Sequence, residues 1–359
     1  MLPLIYMEEQ QKLLDGNYDK YMNKTLKELQ KEYIQAQKDI EKEISDWLLK
    51  IDDIKASQPN FAFSELKQLQ DLQQQINLIL EELAKVEDAL LTETLQELYV
   101  SDYVDLHKLN EKYNLLNLNT PLPEFNQIPQ LQVLESYMTL PNVRQAVLEY
   151  AKTLPVEFVA DAVNGKWFSS RIMERAEKLG YSIEKEIRQG IIRGNSSSKV
   201  AGKIYKDMKE RVGKNMQTSF NSVKTLVRSE MNLAQNKTVI HNAMKLGYEG
   251  LKWSTYHDST VCETCRKLDG TIYPTTDIKP SDLMPHPNCR CILQPVKLDE
   301  NGKEIKSSYV NLDELEEFNR QWEQDHSDRF ITDENYNQRR SEEHKKQKKQ
   351  TIKKSKPRL

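Results

Sequence analysis

The stretch TLKELQKEYIQAQKDIEKEISDWLLKIDDI, residues 25–54, decides the fold class. Its apolar residues are Leu26, Leu29, Tyr33, Ala36, Ile40, Ile44, Trp47, Ile51 and Ile54, at steps of three and four. That spacing draws one stripe along a helix and averages close to the coiled-coil repeat. Thr25 and Glu28 have the form of a capping box, so a helix is expected to begin there. It is expected to stop near Pro59, which lacks an amide hydrogen and disfavours helix at the residue before it. A second stripe follows: Leu66, Leu69, Leu72, Ile76, Leu80, Leu83, Val86 and Leu90. Two such helices joined by a short Pro/Asn turn predict an antiparallel hairpin. Residues 1–114 therefore read as a helical hairpin or coiled-coil arm. Its stripes either bury in a bundle or drive self-association, and spacing alone leaves both open.

Downstream, prolines 121, 123, 129 and 141 interrupt the helical pattern, so residues 115–141 read as a Pro-rich linker. Residues 142–250 read as a helical domain. Three helices are expected after Gly165, with Ser169 or Ser170 capping the first and Asn195 or Ser196 the third. A further long helix is expected to end at Gly247. The stretch GNSSSKVAGK lacks the glycine, lysine and hydroxyl spacing of a phosphate loop. The period then changes. LKWSTY, GTIYP and CILQPV are short aromatic and β-branched runs, and predict strands of a small sheet. Residues 251–298 become a small β-rich Cys/His module, and residues 299–330 a hairpin and a charged helix. Residues 331–359 are expected to be a disordered basic tail, too poor in large apolar residues to offset the entropy of ordering. The fold class expected is mainly α with a small α+β metal-stapled module, elongated in shape.

Composition agrees with long solvent-washed helices: 38% of residues are hydrophobic and 30% charged, with a formal net charge of -3. No run approaches the roughly 18 apolar residues of a membrane span. The opening MLPLIYMEEQQ lacks the basic start and long apolar middle of a secretion signal, so a cytoplasmic site of synthesis is expected.

The chain has 4 cysteines, all between residues 262 and 291. In a reducing compartment such clustering favours a metal over disulfides. Cys262 and Cys265 have the C-x-x-C spacing that turns two thiolates onto one ion. His286, Cys289 and Cys291 form the second half, in the stretch MPHPNCRC, residues 284–291. A tetrahedral zinc takes four such ligands, so five candidates compete for four positions. Cys262, Cys265 and Cys289 are the favoured three, with His286 or Cys291 as the fourth. The ion expected is a structural Zn2+ fastening a segment too small to fold on apolar burial alone.

Four stretches occur in order: GKWFSSRIM, TLVRSEMNLAQNK, LKWSTYHDSTVCETCRKLDGTIYP and PHPNCRC. Together they resemble the phage head morphogenesis family, the Mu F-like minor capsid proteins of tailed bacteriophages. The resemblance spans roughly residues 165–293. Its motif positions fall on Arg228, Glu230, Trp253, Asp258, Cys262, Cys265, Asp269, Gly270, His286, Cys289, Arg290 and Cys291.

What the resemblance implies is a structural, non-enzymatic protein of the virion, at the capsid interior or portal vertex, present in the host cytoplasm during assembly. The implied partners are the portal protein and other capsid or scaffold proteins, with self-association through the N-terminal helices as a further reading. Double-stranded DNA is the other expected partner, bound without sequence preference. The basic tail fits that contact, because each Lys or Arg near phosphate releases condensed counterions. The residues concerned are Arg339, Arg340, Lys345, Lys346, Lys348, Lys349, Lys353, Lys354, Lys356 and Arg358. Two readings of other classes compete: a metal-dependent hydrolase or nuclease using Asp258, Asp269 or Asp282, and a cellular zinc-binding adaptor.

Overall fold

A computed structural model describes residues 4–57, 67–194, 201–255, 261–276, 278 and 283–305. Two long helices open the chain, α1 (Leu4–Ser57) and α2 (Lys67–Lys112). Along α1 the stripe residues Leu29, Tyr33, Ala36, Ile40, Ile44 and Trp47 are buried, and along α2 so are Leu69, Leu72, Ile76, Leu80 and Leu83. They share one core with Ile172, Leu179, Ile183 and Ile187 of α7 (Phe168–Gly194) and with Met208, Val212, Met216 and Val227 of α8 (Ala201–Lys245). Among the described residues, these stripe positions are thus buried inside one chain, as a bundle core. The architecture is mainly helical with a small antiparallel sheet.

The helix expected to start at Thr25 starts at Leu4 instead. Tyr6, Leu14, Tyr21 and Met22 are buried upstream, so packing carries the helix through the apparent capping box. Thr25 is buried in mid-helix, its hydroxyl 2.6 Å from that of Thr94 on α2.

Beyond Gly165, α7 and α8 stand where four helices are expected. Each runs through a glycine, Gly180 and Gly213. A helix-interior glycine costs about 1 kcal/mol relative to alanine. Here the glycines mark close approaches between helices: a Cβ would lie 2.8 Å from Asn77 Oδ1 at Gly180 and 3.2 Å from Gln37 Nε2 at Gly213. Ser169 and Ser170 sit in the first turn of α7. Asn195 and Ser196 lie outside the described residues.

Between α2 and α7 come four short helices: α3 (Leu115–Leu118), α4 (Pro129–Met138), α5 (Val143–Ala151) and α6 (Val156–Val159). The prolines of this segment open helical turns as well as interrupting them. Pro123 begins the 3-10 turn Pro123–Gln127, and Pro129 begins α4, where a missing amide hydrogen costs nothing. The segment is tied to the end of α8 by Leu122 N–H donating to the Met244 carbonyl, and by Lys245 to Glu135, both at 2.8 Å. Gly247 follows α8 with φ 63, against the Thr120 carbonyl, where a Cβ would overlap.

The three expected strands form. β1 (Gly250–Ser254) lies between β2 (Ile272–Pro274) and β3 (Ile292–Val296), antiparallel to both, with Leu251 opposite Tyr273 and Trp253 opposite Leu293. Their inner face shares a second core with Leu233, Val239 and Ala243 of α8, Tyr6 and Leu14 of α1, and Leu106 and Leu109 of α2. The sheet therefore rests on the C-terminal half of α8. A bridge between Leu298 and Glu304 follows. The expected charged helix and basic tail lie outside the described residues, and with them Arg339, Lys345 and the other expected DNA contacts.

Candidate metal centre

The first cysteine pair is set by the turn after β1. Trp253 and the turn leading into β2 are laced together: Trp253 N–H donates to the Thr271 carbonyl at 2.7 Å, and Gly270 N–H to the Trp253 carbonyl at 2.9 Å. Asp269 accepts the Thr255 N–H at 2.9 Å, so this motif carboxylate closes a turn. Gly270 takes φ 78, which only glycine adopts freely. Between these anchors lies the short helix α9 (Glu263–Leu268), with Cys262 at its N-cap. Cys265 N–H donates to the Cys262 sulfur at 3.4 Å, which holds the two side chains on the same side of the turn.

The second group comes from the loop ahead of β3. Cys289 N–H donates to the His286 carbonyl at 3.3 Å, and Asn288 is left-handed at φ 60. This turn folds His286, Cys289 and Cys291 back over α9. All five predicted donors meet, as two triads that share Cys265. One is Cys262, Cys265 and His286; the other is Cys265, Cys289 and Cys291. His286 Nε2 lies 2.9 Å from the Cys265 sulfur and 3.2 Å from that of Cys262, and the Cys265 and Cys289 sulfurs are 3.6 Å apart. A tetrahedral zinc with bonds near 2.3 Å sets its sulfurs about 3.8 Å apart. These pair distances and the donor chemistry suit such an ion, and the five residues fall into two triads rather than one tetrahedral set of four.

The imidazole is already oriented for that role. His286 Nδ1–H donates to the Pro287 carbonyl at 2.8 Å. With the proton on Nδ1, the Nε2 lone pair faces the two sulfurs, the tautomer a metal-ligating histidine needs. Cys265, Cys289 and Cys291 are buried, whereas Cys262 and His286 are half-buried at the rim. The sulfurs also share protons. Hydrogen bonds from Cys265 and then Cys291 draw Cys289 far down toward thiolate, while the bond to Cys289 holds the Cys265 thiol protonated.

Trp253 is fully buried beneath the cluster, edge-on to Tyr273. Glu230, fully buried on α8, is bonded by Arg171 of α7. Arg228 and Arg290 are exposed, and the Arg228 carbonyl accepts from the Tyr18 hydroxyl of α1 at 3.2 Å. Asp258 and Asp282, the other carboxylates of the nuclease reading, lie outside the described residues.

Sequence reasoning missed Ser229, Asn232 and Asn236. All three are buried on α8 and hydrogen-bonded to the donor loop. A signal was present. Polar residues at steps of three and four sit among Leu226, Val227, Met231, Leu233 and Ala234, so the helix is buried on more than one face. Polar groups in such a setting must find partners.

No curated protein and no solved structure matches the chain. Residues 181–294 match the family model described as Phage Mu protein F like protein. The match begins inside α7, after GKWFSSRIM, and runs through α8 and the sheet into β3. It takes in all five cysteine and histidine residues of the cluster, so residues 181–294 are the part of the chain that is similar to Mu F-like proteins.

Proposed function

We propose that the chain is a minor head protein of a tailed bacteriophage. It docks on the portal or the inner capsid and assists head assembly and DNA packaging or delivery, without catalysing a reaction. The observation that carries this reading is the family match over 181–294, the segment that builds the long helix and the cysteine knob on it. The cysteine module, packed on α8 beside α1 and α2, offers assembly partners a rigid surface on the helical body.

Rigidity comes from a structural zinc held by Cys262, Cys265, Cys289 and His286, with Cys291 as a buried thiol beside it. The His286 tautomer supports imidazole as the fourth ligand. A three-sulfur, one-nitrogen set is a common closed structural site. Bound there, the ion supplies cross-linking between α9 and the loop ahead of β3. The two triads contain sulfur and imidazole only among the described residues, a donor set suited to holding a fold together. The basic residues 339–358 add a non-specific contact to packaged DNA.

The test is co-expression with the portal and capsid proteins of the same phage. Co-purification with portal, and presence in purified heads at low copy, are expected. Absence from heads together with failure to bind portal would overturn the assignment.

A further inference from the structure

Three buried side chains of α8 are spent on the backbone of the donor loop. Ser229 Oγ accepts the Asn288 N–H at 3.0 Å. Asn232 donates to the Cys291 carbonyl at 3.1 Å, and Asn236 donates to the same carbonyl at 3.3 Å. Asn236 also donates to the Leu283 carbonyl at 3.5 Å and accepts the Leu293 N–H at 3.1 Å. One amide thus joins both ends of the segment that carries His286, Cys289 and Cys291. The two asparagines are tied to each other at 3.3 Å. None of the three is more than 2% exposed.

We propose that Ser229, Asn232 and Asn236 are positioning residues of the metal centre. They set the donor loop on α8 so that its ligands face Cys262 and Cys265. The inference rests on the zinc reading above. Its physical basis is that the loop's backbone is poor in partners of its own: Pro285 and Pro287 have no N–H, and Asn288 is left-handed. Its inward-facing backbone groups are satisfied by α8 side chains instead. A ligand set whose backbone is held this way loses less freedom when it closes on an ion, which raises affinity. Both asparagines grip the carbonyl of Cys291 itself, two residues from the ligand Cys289. A displaced Cys291 carbonyl would swing the Cys289 sulfur away from Cys265.

The experiment measures zinc affinity of the full chain by competition with a chromophoric chelator, alongside helix content by far-ultraviolet circular dichroism. Asn236→Leu keeps the branched shape and removes the bonds made by Asn236. It is expected to weaken zinc binding about 10–100-fold with helix content retained. Asn232→Leu and Ser229→Ala are expected to weaken binding less, and Ser229→Thr, which keeps the hydroxyl, to bind as the native chain does. Native affinity in folded Asn236→Leu and Asn232→Leu would overturn the proposal while leaving the zinc reading intact. A native chain that takes up no zinc would overturn both. Should Asn236→Leu fail to fold, the Ser229→Ala and Ser229→Thr pair decides: equal affinity in the two refutes the proposal.

Discussion

Arg171 on α7 meets Glu230 on α8 end-on, with one guanidinium nitrogen 2.6 Å from one carboxylate oxygen. The contact joins the stretch GKWFSSRIM to the stretch TLVRSEMNLAQNK, 59 residues apart in sequence. Four residues further along α7, Arg175 reaches Glu87 of α2. One face of α7 therefore clamps two neighbouring helices through two buried carboxylates. The Arg171 pair is only half satisfied. Arg171 Nε and Glu230 Oε2 are both buried without a partner among the described residues. Burial raises the Glu230 pKa, and the attraction of Arg171 offsets part of that.

Breaking this pair from one side is expected to cost more than removing it whole. Glu230→Leu leaves a mostly buried guanidinium uncompensated and is expected to destabilise by about 3 kcal/mol. The double variant Arg171→Met with Glu230→Leu removes both desolvation costs and is expected to recover most of that loss. Urea melts of the native chain, both single variants and the double variant give the coupling directly. Additive losses would show that the pair contributes no coupling.

The five-donor cluster makes a prediction about ligand identity. Cys265 belongs to both triads, so Cys265→Ser is expected to abolish stoichiometric zinc. His286→Ala is expected to lower affinity sharply, whereas Cys291→Ser retains the ion. Elemental analysis of each purified variant checks the stoichiometry. The cobalt-loaded native chain should show the visible spectrum of three sulfurs and one nitrogen, and His286→Ala should change it. Chelator treatment is expected to lower the melting temperature of the native chain, because an ion that binds only the folded form stabilises it.

The period of the apolar residues made the helices and the three strands legible, since a buried stripe has to repeat with its element. The glycines misled because their cost in a helix is small beside the packing they permit, as at Gly180 against Asn77. Thr25 misled because a capping pattern is local, while the helix is held by Tyr6 and Leu14 upstream. The four cysteines and His286 were legible as a cluster because all four thiols fall between residues 262 and 291, beside that histidine. Their support was hidden. The Asn232 amide meets a carbonyl 59 residues away, and no local pattern specifies such a pairing.

His241 supplies a pH prediction. It is half-buried on α8, stacked on Phe158, with the Tyr99 hydroxyl 2.5 Å from its Nδ1. Burial, helped by the Lys237 charge, lowers its pKa to about 3. The unfolded chain then binds more protons than the folded one between about 3 and an ordinary 6.5. The stability this group gives is complete above the ordinary value and is lost as pH falls through that window. Its contribution to the slope is about 1.4 kcal/mol per pH unit. His241→Gln is expected to be less stable at neutral pH, yet to show a flatter decline between pH values of about 6 and 4. Melts of both proteins across that range measure the difference, and parallel curves would show that His241 is not the group responsible.

The basic residues 339–358 give the proposed DNA contact its own test. Ten Lys and Arg fall between Arg339 and Arg358 against two acidic residues, Glu342 and Glu343. If these cations meet phosphates, each one neutralised steepens the dependence of log K on log salt by about 0.9. A chain ending at residue 338 is expected to keep its helix content and its zinc, and to lose most of its affinity for duplex DNA at low salt. Changing only the six lysines from Lys345 to Lys354 to glutamine should flatten the salt dependence in proportion, with no preference for sequence in either protein. An unchanged slope in the shortened chain would place any DNA contact on the folded body, where the exposed Arg228 and Arg290 would be the next residues to substitute.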